Sequence, residues 1–177
     1  IERVKKNIIT WFVNVETSID SIIYNSQNIH ESLNMLEFRG IIFLIECIKL
    51  TKSFFNEEEL KKIYDWFNTY LSSLIDRENE EKEFLENSNS INYILQIIVI
   101  SHFLSKLEIT IEYIKKTHNK LESYCYEKNI LENELKKKDY IHHILLFTEL
   151  FILLVITCIK IYPKIDLINH NIFIERL

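Results

Sequence analysis

An all-α fold is what this chain predicts, and three observations carry it. Its 177 residues hold one glycine, Gly40, and one proline, Pro163, too few turn formers for an all-β sandwich. Apolar residues make up 47% and charged residues 27%, a globular balance. Finally, the apolar positions recur at helical spacing over most of the length. A chain of this size suits one domain with a sizeable core, so residues 1–177 read as a single helical domain.

The elements follow in order. In 1–16, Val4, Ile8, Ile9, Trp11, Phe12 and Val15 fall near helical spacing. Residues 17–34 are polar and weakly periodic, and irregular backbone is expected. A helix over 36–54 is apolar nearly all round through Ile41, Leu44, Ile45, Ile48 and Leu50. Asn56 with Glu59 three residues on reads as a capping box. The helix it opens, 57–76, places Leu60, Ile63, Phe67, Tyr70, Leu71 and Leu74 on one face. The charged stretch 77–86 reads as a loop. Ser88, Asn89 or Ser90 caps a helix over 91–105 that is hydrophobic almost all round. Helical stretches at 107–120 and 121–133 come next, and a last helix over about 139–162 ends before Pro163, which cannot continue it cheaply.

All-round apolar helices alternate with amphipathic ones, which fits two layers, inner helices buried on both sides and outer ones half exposed. On this reading 36–54 and 91–105 are more buried than 57–76. Trp11 and Trp66 are read as core packing.

The apolar run 144–159 is shorter than the ~20 residues needed to cross a bilayer. Glu149 lies in its middle, where an intramembrane carboxylate is costly. A packed helix is therefore expected, and no transmembrane span. A net charge of -5 argues against a dedicated nucleic-acid binder, and the run Lys136–Lys138 reads as solvated surface. Cys47, Cys125 and Cys158 are far apart with no CxxC pair, so neither a zinc site nor a disulfide framework is indicated; Cys47 and Cys158, inside apolar helical stretches, read as small hydrophobes. His142 and His143 are adjacent and on different helix faces, too few ligands for a metal. His30, His102, His118 and His170 are isolated surface or satisfied interior residues. No metal and no cofactor is implied. The chain opens at Ile1 without Met, which is compatible with an upstream segment such as a signal peptide.

Several stretches, in order, resemble the alginate lyase family of helical polysaccharide lyases. "WFVNVETSI" at 11–19 resembles that family's W-F-L-D-P-x-T-x-M, and Gln27 falls where its N-Y-A-Q glutamine would lie. "LEFRGIIFLIECIKL" at 36–50 resembles I-D-x-R-x-L-I-x-L-I-D-A, with Arg39 in the arginine position. "EELKKIYDWFNTYLSSLI" at 58–75 resembles L-K-x-W-F-x-x-Y-L-x-W-L. "ENSNSINYILQ", ending at Gln96, resembles the catalytic K-N-N-H-G-T-W-Y-D-V-Q. "ELKKKDYIHHILLF" at 134–147 resembles E-L-x-R-T-x-S-x-H-Y-S-x-F-N, and "KIDL" at 164–167 resembles G-I-D-L-W. The resemblance implies an incomplete two-layer (α/α) toroid with a groove, of which this chain is the C-terminal portion, and a secreted or extracytoplasmic setting.

What it implies for chemistry lies in the departures. Aligned on Tyr93 and Gln96, the family's first Asn remains as Asn87. Its second Asn becomes Ser88, its catalytic His becomes Asn89 and its Gly becomes Ser90. In the second motif the arginine becomes Lys137, the His persists as His142 and the catalytic Tyr becomes His143. Lyases of this type remove the proton beside a uronate carboxylate and expel the 4-linked oxygen. Donors such as Asn, Arg or His neutralise the carboxylate, while a base takes the C5 proton and an acid protonates the leaving oxygen. Asn89 has no titrating nitrogen, and His143 differs from Tyr in shape and pKa. Losing one positioned acid–base group commonly costs about 10²–10⁴-fold in rate.

No catalytic residue is therefore assigned. The resemblance leaves Arg39, Asn87, Lys137 and His142 as substrate-binding positions and Asn89 and His143 as the acid–base-equivalent ones. Asn87 and Asn89 are expected to lie near Lys137, His142 and His143. The expected function is a degenerate lyase-like scaffold or binding module, with acidic polysaccharide or protein partners. Two alternatives stand beside it: an active polysaccharide lyase using a rearranged pair with His142 or His143, and a structural subunit of a larger assembly.

Overall fold

A computed structural model describes residues 1–14, 40–80, 88–126 and 140–163, with all side chains in those segments except those of 77–80, 88–90, 120–126 and 143. Among the described residues the secondary structure is helical, with six α-helices and no strand. They are α1 (Glu2–Phe12), α2 (Ile41–Thr51), α3 (Glu57–Glu80), α4 (Ser88–Phe103), α5 (Leu107–Tyr126) and α6 (Tyr140–Ile161). The chain divides into two compact units, Ile1–Asp76 and Arg77–Leu177.

In the first unit α1 turns Ile8 and Phe12, one helical turn apart, into the core. Phe12 meets Trp66 edge-on at 4.7 Å between ring centroids and stacks on Phe67 at 5.4 Å. Trp66 in turn stacks on Tyr70 at 5.2 Å. Such aromatic pairs add about 0.5–1.5 kcal/mol each to the gain from area burial. Trp66 is thus core, as expected, but Trp11 is not: it is 44% exposed. The reason is helical phase, since the Ile8–Phe12 row faces inward and Trp11 sits ~100° round the axis from Phe12. The helix also ends at Phe12, short of the expected residue 16.

Helix α2 also differs from expectation. It begins at Ile41, and after Thr51 the backbone tightens into a 3-10 turn, Lys52–Phe54. Only one stripe of α2 is buried: Ile41, Ile45, Ile48 and Thr51. Phe43 is exposed, and Leu50 is 80% exposed. The expectation that this helix is more buried than 57–76 is overturned, because an apolar composition licenses burial only where a neighbour supplies the second surface.

The start of α3 is the capping box read from the sequence. The Asn56 side-chain oxygen accepts the Glu59 N–H at 2.8 Å, and the Asn56 N–H donates to the Glu59 carboxylate at 2.8 Å. The core face of α3 comprises Ile63, Trp66, Phe67, Tyr70, Leu71 and Leu74. The helix runs on to Glu80, so the first four residues of the stretch expected to be a loop are helical. Arg77–Glu80 is polar, yet Arg and Glu are good helix formers, and polarity marks solvent rather than a terminus.

The second unit is built round α4, which packs on both α5 and α6. Every residue from Ile91 to Ser101 is buried, which matches the all-round apolar pattern. The helix ends at Phe103, two residues early, in a Schellman turn. There the Lys106 N–H reaches the Ser101 carbonyl at 2.8 Å and the Ser105 N–H reaches the His102 carbonyl at 3.0 Å. Ser105 takes a φ of 60°, a position usually filled by glycine. Across this turn the buried hydroxyls of Ser101 and Thr110 share a hydrogen bond of 2.9 Å, tying α4 to α5. The stretches expected at 107–120 and 121–133 join as one helix through Tyr126; 127–133 lie outside the described residues, as do 17–34.

The last helix, α6, spans Tyr140–Ile161, in agreement with the sequence. It buries Leu146, Leu150, Leu154, Val155 and Cys158, a row at helical spacing. Its other side carries Ile141, Leu145, Ile152, Ile156 and Ile159 in the open, with Leu145 65% exposed. At 22 residues it is about 33 Å long at ~1.5 Å per residue, longer than the apolar run alone suggested and sufficient in length to cross a bilayer.

Candidate functional site

In sequence, the six positions singled out by resemblance fall at three helix starts: Arg39 before α2, Asn87 and Asn89 at α4, and Lys137, His142 and His143 at α6. Asn89 is the second residue of α4 and His143 the fourth of α6; their side chains lie outside the described residues. Arg39, Asn87 and Lys137 lie outside them altogether. His142 is exposed in the first turn of α6. The two helices that carry the motifs, α4 and α6, pack against each other. The side chains expected to meet, however, include none beyond His142 that is described, so no distance joins the two groups.

One feature of the motif region escaped the sequence reading. Asn92 and Gln96, one turn apart on α4, are both fully buried in an otherwise apolar segment. Both have interaction partners, although among the described residues the Asn92 side-chain oxygen accepts no hydrogen bond. The signal was in the sequence: two amides at i and i+4 within an aliphatic run mark a polar row inside the core.

Polar chemistry elsewhere is structural. Thr117 donates to the Tyr113 carbonyl at 2.7 Å, and Thr110 to the Lys106 carbonyl at 3.0 Å, so these buried hydroxyls are satisfied by their own helix. In the first unit Lys5 forms a knot: its ammonium lies 2.9 Å from the Glu59 carboxylate and donates to the Phe54 carbonyl at 2.7 Å. The Lys5 hydrogen bond, then the Asn56 N–H, hold the Glu59 carboxyl below its ordinary range. Lys5 thereby joins α1 to the capped start of α3.

Two thiols differ sharply. Cys47 is exposed on α2, whereas Cys158 is buried on α6, and burial pushes the Cys158 thiol up to about 12. Cys158 is therefore a small hydrophobe, the role expected of it, with a negligible thiolate fraction at neutral pH. Cys47, expected to pack in the same way, is instead open to solvent. Among the described residues no group of three or more His, Cys, Asp or Glu side chains is placed to hold a metal.

Compared with known proteins, the chain matches no family model, no curated protein and no solved structure.

Proposed function

We propose that this chain is a degenerate, alginate-lyase-like helical module without lyase activity, serving as a scaffold or binding module. The observation that carries the reading is the identity of residue 89. In the motif that resembles the family's catalytic segment, the histidine is replaced by Asn89, in the first turn of α4. An amide cannot take a proton from C5, and the tyrosine position holds His143, so both halves of the acid–base pair are altered. The toroid is part of the same proposal; helical structure throughout the described residues, with Ile91–Ser101 of α4 buried all round, is compatible with it. Asn87, Lys137 and His142 would then be what remains of a binding site for an acidic polysaccharide, with Arg39 a further binding position implied by the resemblance. The net charge of -5 gives no long-range attraction to such a chain.

We also read α6 as a packed helix rather than a bilayer span. Its Leu146–Leu150–Leu154 row is buried, and Glu149 lies in its middle, where lipid would penalise a carboxylate.

A second reading, a structural subunit of a larger assembly, is favoured by one observation. The aliphatic row Ile141, Leu145, Ile152, Ile156 and Ile159 on α6 is exposed, and contiguous exposed apolar surface commonly marks interaction sites.

Three measurements on the full chain separate the readings. Titration calorimetry with uronate oligomers, without release of unsaturated ends, supports a binding module. Sustained release of unsaturated ends from alginate overturns it and establishes the rearranged lyase. Constitutive copurification with defined proteins from the native source, without uronate binding, establishes the structural subunit.

A further inference from the structure

We draw no further inference here: the strongest candidate, the exposed aliphatic row Ile141, Leu145, Ile152, Ile156 and Ile159 along α6, carries nothing because nothing in the structure shows what covers it.

Discussion

Helices α4 and α6 are written in nearly the same alphabet and have different surroundings. Both are rich in Ile and Leu round the whole axis. Residues Ile91–Ser101 of α4 are buried without a break, whereas α6 buries one row and leaves another in the open. The difference lies in neighbours. Helix α4 is packed by both α5 and α6, so it meets neighbouring helices on more than one side. Burial is thus a property of a pair of surfaces, and the hydropathy of one helix states only what it can tolerate. The sequence does hold a hint, since the open row of α6 also contains Glu149 and Thr148, both exposed, while the buried polar groups of α4 are uncharged.

The comparison is broken most strongly by truncation. Leu95→Ala on α4, where Leu95 is fully buried, should cost about 2–5 kcal/mol of unfolding free energy. Ile156→Ala on the open row of α6 should stay within about 0.5 kcal/mol, as surface substitutions usually do. Urea unfolding followed by circular dichroism reads both. Equal losses would mean that the α6 row is covered. In the first unit, Phe67→Ala, removing the ring against Phe12 and Trp66, should cost about 3–5 kcal/mol.

Smaller effects sharpen the account of how the helices end. Ser105 holds a left-handed conformation that costs an L-residue about 1–2 kcal/mol, so Ser105→Gly should stabilise by up to about 1 kcal/mol, in contrast to the usual effect of glycine. A loss of stability would show that the Ser105 side chain contributes more than its backbone costs. At the other cap, Asn56→Ala should cost about 1 kcal/mol.

The Glu59 knot adds a pH dependence of known sign. Because its carboxyl is held low in the folded chain, its contribution is present above the ordinary carboxylate pKa of about 4.3. That contribution fades as pH falls through the lower, folded value. The Glu59→Gln variant should therefore approach wild-type stability in acid and fall below it at neutral pH. A constant gap across that range would contradict the ion pair's role. The smallest perturbation is chemical: with thiol reagent at neutral pH, site-resolved mass spectrometry should find Cys47 modified well before Cys158. Equal rates would show that α6 opens readily.

Much of the fold was legible because it rests on local signals. The Asn56–Glu59 box announced the start of α3, and the Ile and Leu run before Pro163 delimited α6. Less legible were the features set by partners. In 77–80 the polarity, which marks solvent, hides the helix propensity of Arg and Glu that carries α3 on to Glu80. Trp11 and Phe12 are neighbours in sequence, and which of them enters the core depends on the phase set by Ile8 and the rings of α3. The all-round apolar α2 gave no sign that Phe43, Cys47 and Leu50 would stay outside. No glycine marks the end of α4, because its left-handed residue is Ser105. For the site, the departures at Asn89 and His143 rest on the resemblance to the alginate lyase family, whose acid–base pair is His and Tyr. The buried amides Asn92 and Gln96 were visible as a spacing, but their burial became clear only once α4 was surrounded.

The central claim is that the altered pair at positions 89 and 143 leaves no uronate cleavage. Its most direct test is ultraviolet absorbance of unsaturated products from alginate and related polyuronates. Wild type is assayed beside Asn89→His with His143→Tyr and beside His143→Ala. The account predicts no turnover by wild type. It also predicts that the double variant fails to reach full activity, since Ser90 and Lys137 still differ from the glycine and bidentate arginine of the alginate lyases that the motifs resemble, and such sites tolerate little misplacement. Sustained turnover by the unaltered protein, abolished by His143→Ala, would contradict it.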